Sequence, residues 1–168
     1  SMDNLISIMQ AESTLKRVSL RLFARILIKG NPEKENDGIT PASYNYTYNH
    51  LKNSPPGDEI LKLIDKSSED KTVANLEAYM RPKKGNYIYE MFYYNHPFYS
   101  YNALKNIKVQ RRLTSDLLDI SYTSGDPGIA YNTVSILMHE FVEEYRRIRY
   151  GETDKVIKYF EEELKRIG

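Results

Sequence analysis

The sequence contains no cysteine and no tryptophan. Without thiols there is no disulfide framework, no cysteine nucleophile and no thiolate metal site, while the redox compartment stays undecided. Long apolar runs are also missing: no stretch approaches the ~20 residues that span a bilayer, and the opening segment spreads Lys16, Arg17, Arg21 and Arg25 through a periodic pattern unlike a signal peptide. Neither charge sign dominates. With 24 Lys and Arg against 23 Asp and Glu, the chain offers no basic surface for nucleic acid. The eight glycines are scattered, and Gly125 to Gly128 lacks the Lys-Ser/Thr ending of a phosphate loop. What is plentiful is tyrosine, 15 residues of 168, a side chain whose apolar ring and hydroxyl suit half-buried surfaces. Ser1-Met2 reads as a scar of tag removal, so the natural protein is expected to continue at both ends.

Apolar residues at Leu5, Ile8, Met9, Leu15, Val18, Leu22, Phe23, Ile26 and Leu27 predict one amphipathic helix over 4–29, with Asp3 as N-cap and Gly30 as stop. Arg17, Arg21 and Arg25 form an i, i+4 row on its polar side, which reads as a solvated face. The segment 31–57 is rich in Asn, Pro, Gly and Asp. With Tyr44, Tyr46 and Tyr48 alternating with polar residues, it reads as an inserted loop carrying one short strand. Short helices are predicted over 58–66 and 70–80, the second closed by Arg81-Pro82. Alternation predicts a strand over 117–123, and Ser124-Gly125-Asp126-Pro127 then supplies a turn, an N-cap and a proline at the first helical position. From Ala130 an apolar seam runs through Val134, Leu137, Met138, Phe141, Tyr145 and Ile148 to Val156, Phe160, Leu164 and Ile167, interrupted by Glu152. It predicts one helix of about forty residues through Gly151, the alternative being a separate helix capped by Thr153. The expected fold is α+β: a small sheet packed with helices over 1–126, then a long C-terminal helix over 127–168.

Few residues point to chemistry. His139-Glu140-Phe141-Val142-Glu143 resembles a zinc-protease helix but has Glu143 where the second histidine belongs, so it reads as a polar helix face. His50 and His96 have no ligand or triad partner at a telling spacing, and Asn45-Tyr46-Thr47 matches a glycosylation acceptor, a pattern too short to weigh. No cofactor or metal is expected. Tyr87, Tyr89, Tyr93, Tyr94, Tyr99 and Tyr101 form a dense aromatic segment that either packs half-buried or stacks on sugar rings.

The stretch SDLLDISYTSGDPGIAYNTVSILMHEFVEEYRR, 115–147, resembles polysaccharide chain length determinants, the Wzz-type co-polymerases and their relatives among capsule tyrosine kinases. The resemblance rests on Ile120-Ser121 at a strand end, Asp126-Pro127, then Ala130 and Asn132 on the first helical turns; NLISIMQAESTLKRVSLRL at 4–22 resembles the family's early helix. It covers about a third of the chain and leaves out the middle. What it implies is a non-enzymatic periplasmic domain of a bacterial inner-membrane protein, held by flanking transmembrane helices outside this sequence. Such a domain regulates the chain length or export of an O-antigen, capsular or exopolysaccharide glycan, in oligomers beside the polymerase. On that reading Val156, Phe160, Leu164 and Ile167 meet neighbouring subunits. The alternative is a glycan-binding module built on Tyr87 to Tyr101.

Overall fold

The computed structural model describes residues 2–54, 57–81, 86–113, 117–148 and 154–167. Among them the chain is mostly helical with one two-stranded sheet. Its elements are α1 (Met2–Met9), α2 (Glu12–Lys29), α3 (Pro41–Lys52), α4 (Gly57–Leu61), α5 (Glu69–Met80), α6 (Tyr87–Tyr93), α7 (Tyr101–Leu104), β1 (Lys108–Arg111), β2 (Leu118–Ser121), α8 (Pro127–Ile148) and α9 (Asp154–Ile167). Pro82, Gly151, Glu152 and Thr153, and the side chains of Asp3, Ile148 and Val156, lie outside the described residues.

The centre of the fold is α2, which packs against α3, α5, α7 and α8. Ten of its eighteen residues are buried, among them the polar Thr14 and Ser19, so little of its circumference is left to water. The single helix expected over 4–29 is instead two. Ala11 has extended backbone (φ −66°, ψ 144°), and the bend lets Leu5 and Met9 of α1 turn into the core beside β1 and α8. β1 and β2 are antiparallel, with Val109 opposite Ile120 and Arg111 opposite Leu118. A lone hairpin is marginal in water; here Val109 and Leu118 are buried beneath helices.

The segment expected as a loop with a strand folds differently. Thr40 caps α3 by accepting from the backbone N–H of Ser43, and Pro41 opens the helix. Ser43, Thr47 and Leu51, one turn apart, face inward, so of the alternating tyrosines Tyr44 and Tyr48 share one face, their rings stacked, and Tyr46 stands on another. Before it, Asn36 and Ile39 pair around a tight turn at Asp37 (φ 51°) and Gly38 (φ 78°), the conformation Asp-Gly favours in two-residue hairpins.

The helix start at Asp126 forms as its sequence requires: Oδ1 accepts from the backbone N–H of Gly128 at 2.8 Å and Ile129 at 3.3 Å. Oδ2 accepts from the Thr40 hydroxyl at 2.9 Å, so the caps of α3 and α8 are bonded together. Asn132 Nδ2 donates to the carbonyl oxygens of Asp37 and Gly128. A Cβ on Gly128 would lie 1.7 Å from the Gly38 carbonyl oxygen, so the Asp37-Gly38 turn can dock on α8 only where no side chain stands.

The forty-residue helix does not form. α9 runs back along α8: the Tyr131 hydroxyl donates to the Ile167 carbonyl, Arg146 pairs with Glu161, and the rings of Phe141 and Phe160 lie 4.7 Å apart at 63°. Residues 131 and 167 of one straight helix would be about 54 Å apart at 1.5 Å per residue. The seam continued in phase because both helices bury the same stripe, against each other and against the core. Phe160 is 1% exposed and Leu164 and Ile167 are half-buried on that core, so within the folded chain Phe160 is enclosed, where the sequence led to an expectation of contact with neighbouring subunits.

Candidate functional site

Two polar regions concentrate the side chains able to do chemistry. The first is a charged seam where α2 meets α5 and α8. Arg21 Nε donates to Glu140 Oε1 at 2.7 Å, and its other nitrogens reach Glu69 at 3.0 Å and Asp70 at 2.9 Å. Arg25 grips both oxygens of Glu69 at 2.9 and 3.1 Å. Arg17 pairs with Glu144 at 2.9 Å and lies 3.6 Å from Glu140. The expected solvated face is therefore a partly buried ion network, because α2 is covered on the side where the arginines stand. Burial alone would lower the Arg21 pKa, but its bonds to Glu140 and Glu69 raise it well above the usual value. Burial would likewise raise the Glu69 carboxyl, and the hydrogen bonds and charges of Arg25 and Arg21 outweigh it, holding it below the usual range.

The seam opens into a cleft of about 590 Å³ lined by Arg21, Arg25, Glu69, Asp70, His139 and Leu164 among others. Within the His139–Glu143 motif, Glu140 turns to the arginines while His139 and Glu143 are exposed. No group of three or more His, Asp or Glu among the described residues is arranged to hold a metal ion. The seam ties three helices together, and its carboxylates are already committed to guanidinium groups.

The second region is aromatic. The six tyrosines of 87–101 do not form one face. Tyr99 is fully buried, its hydroxyl 2.6 Å from Thr47 Oγ1 and its ring edge-on to Phe23, and burial pushes its pKa well above the ordinary phenol value. Tyr89 and Tyr93 pack on each other beside α2, where the Tyr93 hydroxyl donates to Glu12 at 2.9 Å; burial and that carboxylate push the phenol up to about 12. Tyr101 packs on Phe92 with Lys105 over its ring, and Tyr94 is exposed. Tyr87 turns to His50 on α3, where burial raises its pKa to about 12.

There Tyr87 joins residues that the sequence reading passed over. Tyr46 and His50, one turn apart on α3, have ring planes within 20° of each other. His96 and Phe98 meet the Tyr46 ring edgewise at 5.8 and 5.5 Å. His96 is mostly buried: its Nδ1 accepts from the backbone N–H of Phe98 at 3.0 Å, and its Nε2 has no hydrogen-bond partner among the described residues. Burial, with the nearby His50, lowers its pKa to about 4, so at neutral pH the ring is uncharged. The signal for this patch was present in the i, i+4 spacing of Tyr46 and His50 and the i, i+4, i+8 spacing of Asn45, Asn49 and Asn53. It becomes readable once 41–52 is a helix. Of the motif residues, Asp126 and Asn132 bind other segments, and Pro127 and Ala130 occupy the first turn of α8.

No known protein family matches this sequence, and neither a curated protein nor a solved structure is similar to it. The resemblance of 115–147 rests on its residues alone.

Proposed function

We propose that this chain is a non-enzymatic domain of a bacterial surface-polysaccharide system, regulating glycan chain length or export by assembly beside the polymerase. The observation that carries the reading is the passage from β2 into α8. Ile120-Ser121, Asp126-Pro127, Ala130 and Asn132 stand in the order of the chain length determinants, and Asp126 and Asn132 use their side chains to cap α8 and to bind the segment before α3. The charged seam supports a scaffold role, since its arginines and carboxylates hold helices together. In this reading the partners are further copies of the protein and the polymerase or export machinery. The domain sits in the periplasm, anchored to the inner membrane by segments outside this sequence. With Phe160 enclosed, assembly uses outer surfaces of the domain.

The test belongs in cells that build the polysaccharide. Deleting the gene should shift or broaden the glycan length distribution on a gel while polymer is still made, and the wild-type gene should restore it. An unaltered distribution overturns the reading. So does complete loss of polymer, which would point to a synthetic enzyme.

A further inference from the structure

The outer face of α3 carries an open cleft of about 590 Å³ lined by Ala42, Asn45, Tyr46, Asn49, His50, Asn53 and Ser54. No Asp, Glu, Lys or Arg is among its described lining residues. Tyr46 is 45% exposed, and with His50 it makes a strip of two rings, centroids 5.9 Å apart and planes 20° apart. The strip is braced. Phe98 and His96 pack edge-on against Tyr46, and the Tyr87 hydroxyl lies 3.2 Å from His50 Nδ1. Along one side stand Asn45, Asn49 and Asn53; Asn45 Nδ2 donates to the Pro32 carbonyl, while the side-chain amides of Asn49 and Asn53 have no hydrogen-bond partner among the described residues.

We propose that this face binds a neutral glycan strand, with Tyr46 and His50 as the stacking platform and the three asparagines as readers of hydroxyl groups. A sugar ring has an apolar C–H face, which suits an exposed aromatic plane, and a rim of hydroxyls that both donate and accept, which suits an amide carrying a donor beside an acceptor. The asparagines step along the helix by about 6 Å, close to the repeat of a sugar chain. An anionic polymer would need cations, and the described residues that line this cleft supply none. A folded protein partner would need a broad apolar centre, whereas the large apolar surface here is confined to one exposed ring. The proposal deepens the reading given under Proposed function and rests on it for the identity of the glycan; the platform itself stands on the geometry.

Amide chemical shifts of the ¹⁵N-labelled chain would be followed against two probes: hexasaccharides cut from the surface polysaccharide of the producing cells, and maltohexaose. Saturable shifts at Tyr46, Asn49, His50 and Asn53 are expected. Tyr46→Ala should weaken binding at least tenfold while leaving the amide pattern of α2 intact, and Tyr94→Ala, which removes another exposed tyrosine, should leave affinity unchanged. Binding of maltohexaose alone keeps the site and breaks its link to the surface polysaccharide. The absence of α3 shifts with both probes overturns the proposal. So do shifts at the same amides that depend on protein concentration alone and vanish in Tyr46→Ala, which would make the face a self-contact. The gene deletion reads the broader reading separately: an unaltered glycan length with α3 shifts intact sinks the system assignment and leaves the site standing.

Discussion

The charged seam and the aromatic patch on α3 treat their polar groups in opposite ways. In the seam, Arg21 is 13% exposed at its side chain and its guanidinium is saturated by Glu140, Glu69 and Asp70, so full charges are drawn inward and cancelled. On the outer face of α3 the asparagine amides carry no charge, Tyr46 is 45% exposed, and the side chains of Asn49 and Asn53 have no hydrogen-bond partner among the described residues. A charge taken from water must be paired where it is buried, so a seam of this kind becomes structure. Neutral amides and rings lose little by staying wet, and remain free for a ligand.

The sharpest way to break this contrast is to unpair the seam. Arg21→Met leaves Glu140 buried with Arg17 as its remaining partner, at 3.6 Å; stability in urea should fall by about 3 to 4 kcal/mol. Adding Glu140→Leu should recover much of that, because the unpaired charge goes with it. A single mutant as stable as wild type would mean that the seam is solvated after all.

The patch should answer to pH through His96. Its folded pKa of about 4 lies below the unfolded value near 6.5, so the unfolded chain takes up the proton first. Stability is full above pH 6.5 and falls as pH drops toward 4, by about 2 kcal/mol once partial exposure is allowed for. Thermal melts across that window should show the slope, and His96→Asn, which keeps an acceptor for the Phe98 N–H, should flatten it. A parallel slope in the variant would assign the loss elsewhere. As pH falls below about 4.5, protonation of Glu69, whose carboxyl is held low by Arg25 and Arg21, removes a further contribution from the seam.

Asp126→Ala cuts the bond that joins the caps of α3 and α8 and should cost about 1 to 2 kcal/mol, read as a lower denaturation midpoint; Thr40→Val, which removes its hydroxyl partner, also loses the cap bond to Ser43 and should cost about 1 kcal/mol of its own, and the double mutant should fall short of the sum by the bond the two share. Full additivity of the two would mean that the caps act separately. Tyr46→Ala is the smallest change: on an open surface it should move stability by less than about 0.5 kcal/mol. A cooperative loss several times larger would show that the ring is core and would turn the patch into structure like the seam.

The sequence by itself determined what depends on neighbours within a few residues. Asp126-Pro127 started α8 because cap and acceptors lie two and three residues apart. α5 and β2 followed from their own periodicity. Even Thr40-Pro41, overlooked behind alternating tyrosines, is a local signal that outweighs the alternation. Tertiary structure alone decided where the faces went. The arginines of α2 looked solvated because Glu69 and Glu140 stand 48 and 119 residues away from Arg21, and no local pattern carries that distance. The seam of α8 and α9 looked like one helix because an apolar stripe has the same phase whether it continues straight or folds back. The reversal buries Phe160 against Phe141, and burial of that kind is a property of the packed chain that a periodicity cannot state.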